Sequence, residues 1–83
     1  FKVSERYSII ETKVPRKYVG MTLQEANLTN KYKVIVLTTV KVTENSHKEA
    51  SGIAKSDTVL QENDLLVLFG ELSDIKKLIE KGN

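Results

Sequence analysis

The most apolar stretch of the chain is residues 65–69, LLVLF, which contains no polar side chain. The polar turn of residues 62–64 precedes it and Gly70 follows it. An uninterrupted apolar run of this length predicts a central strand buried on both faces. Residues 34–42, VIVLTTVKV, predict a second strand that is buried on both faces at its apolar start and half exposed at its polar end.

Two further segments have the pattern of strands. Residues 7–14 mix apolar and polar positions and are rich in β-branched side chains, which predicts a strand with one exposed face that ends at Pro15. Residues 50–54, centred on Ile53, predict a weak strand. We expect this strand to form a hairpin with residues 34–42, across a solvated loop at residues 43–49.

Two helices are predicted from their end signals. Thr22 and Glu25 have the spacing of a capping box, and the polar segment 27–30 predicts that this helix ends after about two turns. Ser73 is a candidate N-cap for a second helix, with Gly82 in the C′ position. The element order is β-α-β-β-β-α, an α+β fold with a small mixed or antiparallel sheet and two helices on one face. Residues 1–6 are interpreted as the end of a linker and residues 7–83 as the domain.

Composition limits the size of the core. The chain has 83 residues, of which 40% are hydrophobic, and it has no cysteine. It therefore forms one small domain without disulfides or zinc thiolates to stabilise it. Small domains often overcome a thin core by oligomerising, so we expect a homodimer.

Residues with catalytic potential are few. The single histidine, His47, lies in the most polar segment, and the acidic residues Asp57, Glu62 and Asp64 are explained by turns and solvation. All four glycines are isolated, so no phosphate-binding loop is present. We expect no catalytic residue, no metal site and no enzymatic activity, which leaves a binding or regulatory module.

A basic edge suggests an alternative function. The net charge is only +2, and basic and acidic residues are interspersed. Two tyrosines nevertheless lie among several cations, as in a small β-rich module that binds nucleic acid. The residues concerned are Lys13, Arg16, Lys17, Tyr18, Lys31, Tyr32 and Lys33.

Three segments together resemble a known family. They are VGMTLQEANL at residues 19–28, YKVIVL at residues 32–37 and SDTVLQENDLLVLFG at residues 56–70. Their order and spacing resemble the TrkA C-terminal domain, the C-lobe of RCK-type subunits that regulate potassium transporters and channels. The resemblance covers residues 7–81. Asn63 stands where the family prefers glycine, and Lys55 stands near the usual proline of a short strand.

The resemblance implies a non-catalytic regulatory domain of a potassium transport or channel system. Domains of this family dimerise and follow a Rossmann-type nucleotide-binding lobe, so a chain that starts at Phe1 is expected to be a piece of a longer protein. The implied partner is an integral membrane transporter or channel, gated from the cytoplasmic side, and nucleic acid is not a partner.

The resemblance also implies a candidate ligand site. In several members the dimer interface binds cyclic di-AMP, in a cleft formed by the residues after the first helix and the following strand. Binding members carry arginine where this chain has Thr29 and asparagine where it has Ile35, so we expect weak or absent binding, with Asn27 or Asn30 as substitutes. Alternatively, residues 34–36 form a dry core or dimer strand. The candidate residues are Asn27, Leu28, Thr29, Asn30, Val34, Ile35 and Val36.

Overall fold

The computed structural model describes residues 1–83 and contains one four-stranded antiparallel sheet with its helices on one face. The strands are Tyr7–Lys13 (β1), Ile35–Val42 (β2), Lys48–Ala50 (β3) and Leu65–Glu71 (β4), in the spatial order β1-β4-β2-β3. The helices are Leu23–Ala26 (α1), Leu28–Tyr32 (α2) and Leu72–Gly82 (α3), with a 3₁₀ turn at Arg16–Tyr18. The predicted fold class and order of elements are confirmed.

Strand β4 lies at the centre of the sheet, as predicted, but only one of its faces is fully buried. Leu66 and Leu68 point into the core beneath the helices, and neither has any exposed surface. Leu65, Val67 and Phe69 alternate with them and are half-buried. The prediction of burial on both faces was wrong because no second layer of structure covers the outer face of the sheet.

Strand β2 is less buried at its start and more buried in its middle than predicted. Ile35 and Leu37 are 51% and 41% exposed, whereas Thr39 and Val40 are buried. The register jumps between Val36 and Thr38, so Leu37 is the extra residue of a bulge. In the apolar run 34–37, Val34 is fully buried and Val36 is half-buried, whereas Ile35 and Leu37 are on the surface.

The first predicted helix forms but does not end where predicted. The hydroxyl of Thr22 accepts the Glu25 N–H at 3.1 Å, and the Thr22 N–H donates to the Glu25 carboxylate at 2.9 Å. That backbone bond, followed by one from the Thr22 hydroxyl, lowers the pKa of Glu25 below its usual value. Asn27 then adopts a left-handed conformation (φ 53°), and the chain re-enters a helix that continues to Tyr32. Asparagine tolerates this conformation, so α1 ends at Ala26 and a second short helix begins directly at Leu28.

Thr22→Ala is expected to lower the free energy of unfolding by about 1 kcal/mol, because it leaves a helix N-terminal amide without its acceptor. Ser73→Ala is the matched control. Ser73 makes no capping bond, because Glu71 is the N-cap of α3. Urea unfolding followed by circular dichroism measures both variants. Equal losses in the two variants would contradict the assigned caps.

The remaining differences from prediction concern element boundaries. Strand β3 does pair with β2, but it ends at Ala50, and Ile53 is 85% exposed outside it. Helix α3 follows β4 without an intervening loop, so Ser73 is not its N-cap. Gly82 is the last residue of the helix rather than the residue after it, and it is buried.

Residues 1–3 lie alongside β1 rather than away from the domain. The Val3 N–H donates to the Tyr7 carbonyl at 2.8 Å, and the Ile9 N–H donates to the Phe1 carbonyl at 2.7 Å. This short antiparallel segment continues the sheet at its β1 edge. The domain boundary at Tyr7 stays a prediction.

Candidate functional site

An open groove of about 470 Å³ lies between the first two helices, the start of β2 and residues 54–58, which form an arch that leads towards β4. Its residues are Leu23, Gln24, Asn27, Leu28, Thr29, Ile35, Val36, Ala54, Lys55 and Ser56. This is a volume in the range of small-molecule sites.

Backbone hydrogen bonds hold the two walls of the groove together. The Leu23 N–H donates to the Thr58 carbonyl at 2.9 Å, and the Gln24 N–H donates to the Ser56 carbonyl at 3.0 Å. Within the arch, the Lys55 N–H donates to the Thr58 hydroxyl at 2.9 Å. The start of α1 therefore fixes the position of the arch, and with it the residues at the groove rim.

The break between α1 and α2 shapes the opposite end of the groove. The left-handed conformation of Asn27 turns the chain so that Leu28 is anchored in the core. Asn30 donates from Nδ2 to Oδ1 of Asn27 at 2.7 Å. This bond occupies the carbonyl oxygen of Asn27 and leaves its amide N–H groups without a partner in the chain.

Most of the residues predicted from sequence come together in this groove. Asn27, Leu28, Thr29, Ile35 and Val36 line it. The other two do not. Val34 is fully buried in the core, and Asn30 reaches the groove only through its bond to Asn27.

Sequence reasoning missed half of the lining. The omitted residues are Leu23, Gln24, Ala54, Lys55 and Ser56. Leu23 and Gln24 follow directly from the capping box, which places them in the first turn of α1. For the arch, the one sequence feature that pointed to it was Lys55, a charged residue near a position where the related pattern has proline.

The groove has one charge. Lys55 is its only cation, and no aspartate or glutamate lines it. The uncharged polar groups of the lining are the amides of Gln24 and Asn27 and the hydroxyls of Thr29 and Ser56. The rest of the lining is largely aliphatic. This composition suits the binding of an anionic or amphipathic molecule.

The residues considered for other chemistry do not form a site. His47 is exposed, and no group of three His, Cys, Asp or Glu side chains converges as a metal site would. Asp64 is buried at its turn, 3.9 Å from the Lys41 ammonium. None of the helices has the length and apolar character of a membrane span.

The tyrosines of the basic edge are engaged within the domain. Tyr18 is only 6% exposed, and its hydroxyl lies 3.2 Å from that of Tyr32. This hydrogen bond is the largest cause of a raised pKa for Tyr32. Lys31 lies over the Tyr18 ring, 5.5 Å from its centroid. A stacking platform for nucleic-acid bases needs exposed rings, so this arrangement disfavours the alternative function.

Comparison with known proteins agrees with the fold and with the sequence pattern. The KtrA regulator of conductance of K⁺ (RCK) C domain, solved in complex with cyclic diadenosine monophosphate, superposes with a TM-score of 0.70 at 17% identity, over 90% of this chain and 82% of that chain. The GsuK RCK domain gives a TM-score of 0.67 at 18% identity, over 94% of this chain but only 16% of that longer one. No curated protein matches the sequence. The model of the TrkA-C domain family matches residues 8–81, nearly the whole chain, and the chain therefore belongs to the TrkA-C domain family.

Proposed function

We propose that this domain is the non-catalytic regulatory unit of a potassium transport or channel system and that it acts as a homodimer. Family membership and the likeness to RCK domains support the regulatory role. Its partners would be a Rossmann-type nucleotide-binding lobe and an integral membrane transporter or channel, gated from the cytoplasmic side. The observation that carries the proposal is the exposed apolar start of β2 beside the groove.

The exposure of β2 supports a dimer surface there. Ile35 and Leu37 are large aliphatic side chains, and about half of each is in contact with water. Covering apolar area stabilises an association by roughly 25 cal/mol per Å² before the cost of ordering. A two-fold axis near this strand would bury the same side chains from both copies.

The regulatory mechanism follows from such an interface. A ligand or a neighbouring lobe changes the dimer geometry only if it binds one geometry more tightly than another. The groove adjoins the proposed interface through Ile35, so its occupancy would bias the relative position of the two copies. That movement would reach the membrane partner through the rest of each subunit.

Ile35→Lys is expected to raise the dimer dissociation constant at least about tenfold, because each interface would have to bury an unpaired ammonium group. Sedimentation equilibrium at micromolar concentrations measures this. The fold should persist, since Ile35 is already half exposed.

Leu72→Lys is the matched control for this experiment. Leu72 is 44% exposed at the start of α3 and does not line the groove. It should leave the dissociation constant unchanged. A wild-type domain that sediments as a monomer at high micromolar concentration would overturn the proposal.

A further inference from the structure

We infer that a cationic surface on the helix side of the domain binds the anionic headgroups of a membrane. This helix-side patch consists of four exposed cations and two exposed aliphatic residues, namely Arg16, Lys17, Val19, Met21, Lys31 and Lys81. The inference rests on the proposed function, because that function brings the domain close to a membrane. It adds the lipid surface itself as a partner, besides the transporter or channel.

The four cations of the patch come together around Tyr18. Two of them directly precede it in the 3₁₀ turn, and the Lys31 ammonium lies 5.5 Å from the centroid of its ring. The end of α3 packs against the same ring, since a Cβ atom at Gly82 would lie 3.2 Å from Cε2 of Tyr18, and Lys81 is the residue before this glycine. The hydrogen bond between the two tyrosines raises the pKa of Tyr32, and both lysine ammonium groups act against this rise because they are close to the phenol. Three elements that are distant in the sequence therefore place their positive charges at one surface.

Charge is distributed unequally between the two sides of the domain. All four ion pairs join the strands or the segments directly beside them, namely Lys2–Glu5, Arg6–Glu71, Lys41–Asp64 and Lys48–Glu11. The carboxylates nearest to the patch do not neutralise it by pairing: Glu62 lines the same pocket as Arg16, and Glu80 precedes Lys81, but neither forms an ion pair. The helix side therefore carries a positive field although the net charge is only +2, and such a field attracts an anionic surface.

Two exposed aliphatic side chains distinguish the patch from a purely electrostatic surface. Val19 is 36% exposed and Met21 is 37% exposed, on either side of Gly20, whose φ of 89° is a left-handed conformation. The loop is held in place, since the Gly20 N–H donates to the Leu60 carbonyl at 2.7 Å and the Leu60 N–H donates to the Met21 carbonyl at 2.8 Å. Aliphatic residues among cations suit the boundary between lipid headgroups and acyl chains, where both kinds of contact are made. A nucleic acid would use the charges only, because the Tyr18 ring is buried and offers no surface for stacking.

Sedimentation of the domain with phospholipid vesicles tests the charge of the patch. Wild-type domain should bind vesicles of equimolar phosphatidylcholine and phosphatidylglycerol, should not bind vesicles of phosphatidylcholine alone, and should be released as the salt concentration is raised. Lys17→Gln should weaken this binding about fivefold, which is the typical effect of one cation at an anionic surface. Lys2→Gln is the control for net charge, since Lys2 lies beside Ser8 at the opposite end of β1 from the 3₁₀ turn, and it should bind like wild type.

Met21→Ser separates a lipid surface from other polyanions, because it leaves the charge of the patch unchanged. It should weaken vesicle binding at least about threefold, since each methylene group withdrawn from the acyl boundary lowers the affinity by about that factor. Circular dichroism checks that the variant is folded. Polyglutamate and a single-stranded oligonucleotide, which offer negative charge without an acyl layer, are the comparison ligands.

Three results would overturn the inference. The first is no binding of wild-type domain to the anionic vesicles, and the second is equal binding by Lys17→Gln and Lys2→Gln. The third is vesicle binding that Met21→Ser leaves unchanged, together with equal binding of polyglutamate or the oligonucleotide, which would assign the patch to a polyanion. Sedimentation of the same samples without vesicles separates this from the proposed function. A dimer that does not bind vesicles removes the lipid contact and leaves the regulatory dimer intact, whereas a monomer overturns the proposed function whether or not it binds vesicles.

Discussion

Leu68→Ala is expected to lower the free energy of unfolding by about 3 kcal/mol, the largest effect of any variant considered. Leu68 has no exposed surface and lies on the inner face of the central strand, between its pairing partners Ile10 on β1 and Val36 on β2. Truncation removes buried methyl groups and leaves a cavity that the surrounding strands and helices cannot close, at a typical cost of about 2–5 kcal/mol. Domains of this size have roughly 5–10 kcal/mol of stability in total, so the variant loses a large part of it.

Leu72→Ala is the matched control for Leu68→Ala. It deletes the same atoms from a leucine that is 44% exposed at the start of α3, outside the proposed dimer surface, and the loss should stay below about 1 kcal/mol. Both variants are compared by urea unfolding at one fixed protein concentration, because dimerisation would otherwise shift the apparent stability. Similar losses at the two positions would contradict the burial of Leu68 on the inner face of β4.

Gly82→Ala is expected to destabilise the domain by about 2 kcal/mol, although glycine-to-alanine changes within helices normally stabilise by about 1 kcal/mol. A Cβ atom at Gly82 would lie 2.5 Å from Cβ of Pro15 and 3.2 Å from Cε2 of Tyr18. The proline ring is rigid, so the last turn of α3 would have to move away from the 3₁₀ turn that it covers. Close packing, rather than backbone freedom, therefore requires glycine here.

Thermal and urea unfolding of Gly82→Ala and Lys81→Ala separate the two effects at the end of α3. Lys81 is exposed one residue earlier in the same helix, so its replacement tests helix propensity without the close contact. We expect Lys81→Ala to be nearly neutral. If Gly82→Ala is as stable as wild type or more stable, this would contradict the close packing of α3 against Pro15.

The order of elements was predictable because local signals were strong. The apolar run of residues 65–69 identified the central strand, and the capping box of Thr22 and Glu25 identified the start of the first helix. The sequence pattern did not determine how many layers of structure pack against the sheet. An apolar run has the same appearance whether its second face meets another layer or a partner chain, and for this reason Ile35 and Leu37 were placed in the core.

Only about half of the groove lining was predictable from sequence, and the reason is related. The residues that follow α1 and start β2 were identified because they are contiguous in the sequence. The arch that completes the groove, with Lys55, is about 20 residues further along, and backbone bonds from Leu23 and Gln24 bring it to the same place. Contacts of this kind depend on the whole fold, so no local pattern predicts them.

The dimer surface can be located most directly with a single spin label, because the chain has no cysteine and one introduced cysteine is a unique attachment point. Pulsed electron paramagnetic resonance would be compared for Ile35→Cys and Leu72→Cys. We expect a dipolar coupling between Ile35→Cys labels that strengthens with protein concentration and corresponds to a shorter distance than for Leu72→Cys. No intermolecular coupling at position 35, or a shorter distance at position 72, would contradict a regulatory dimer formed through the exposed start of β2.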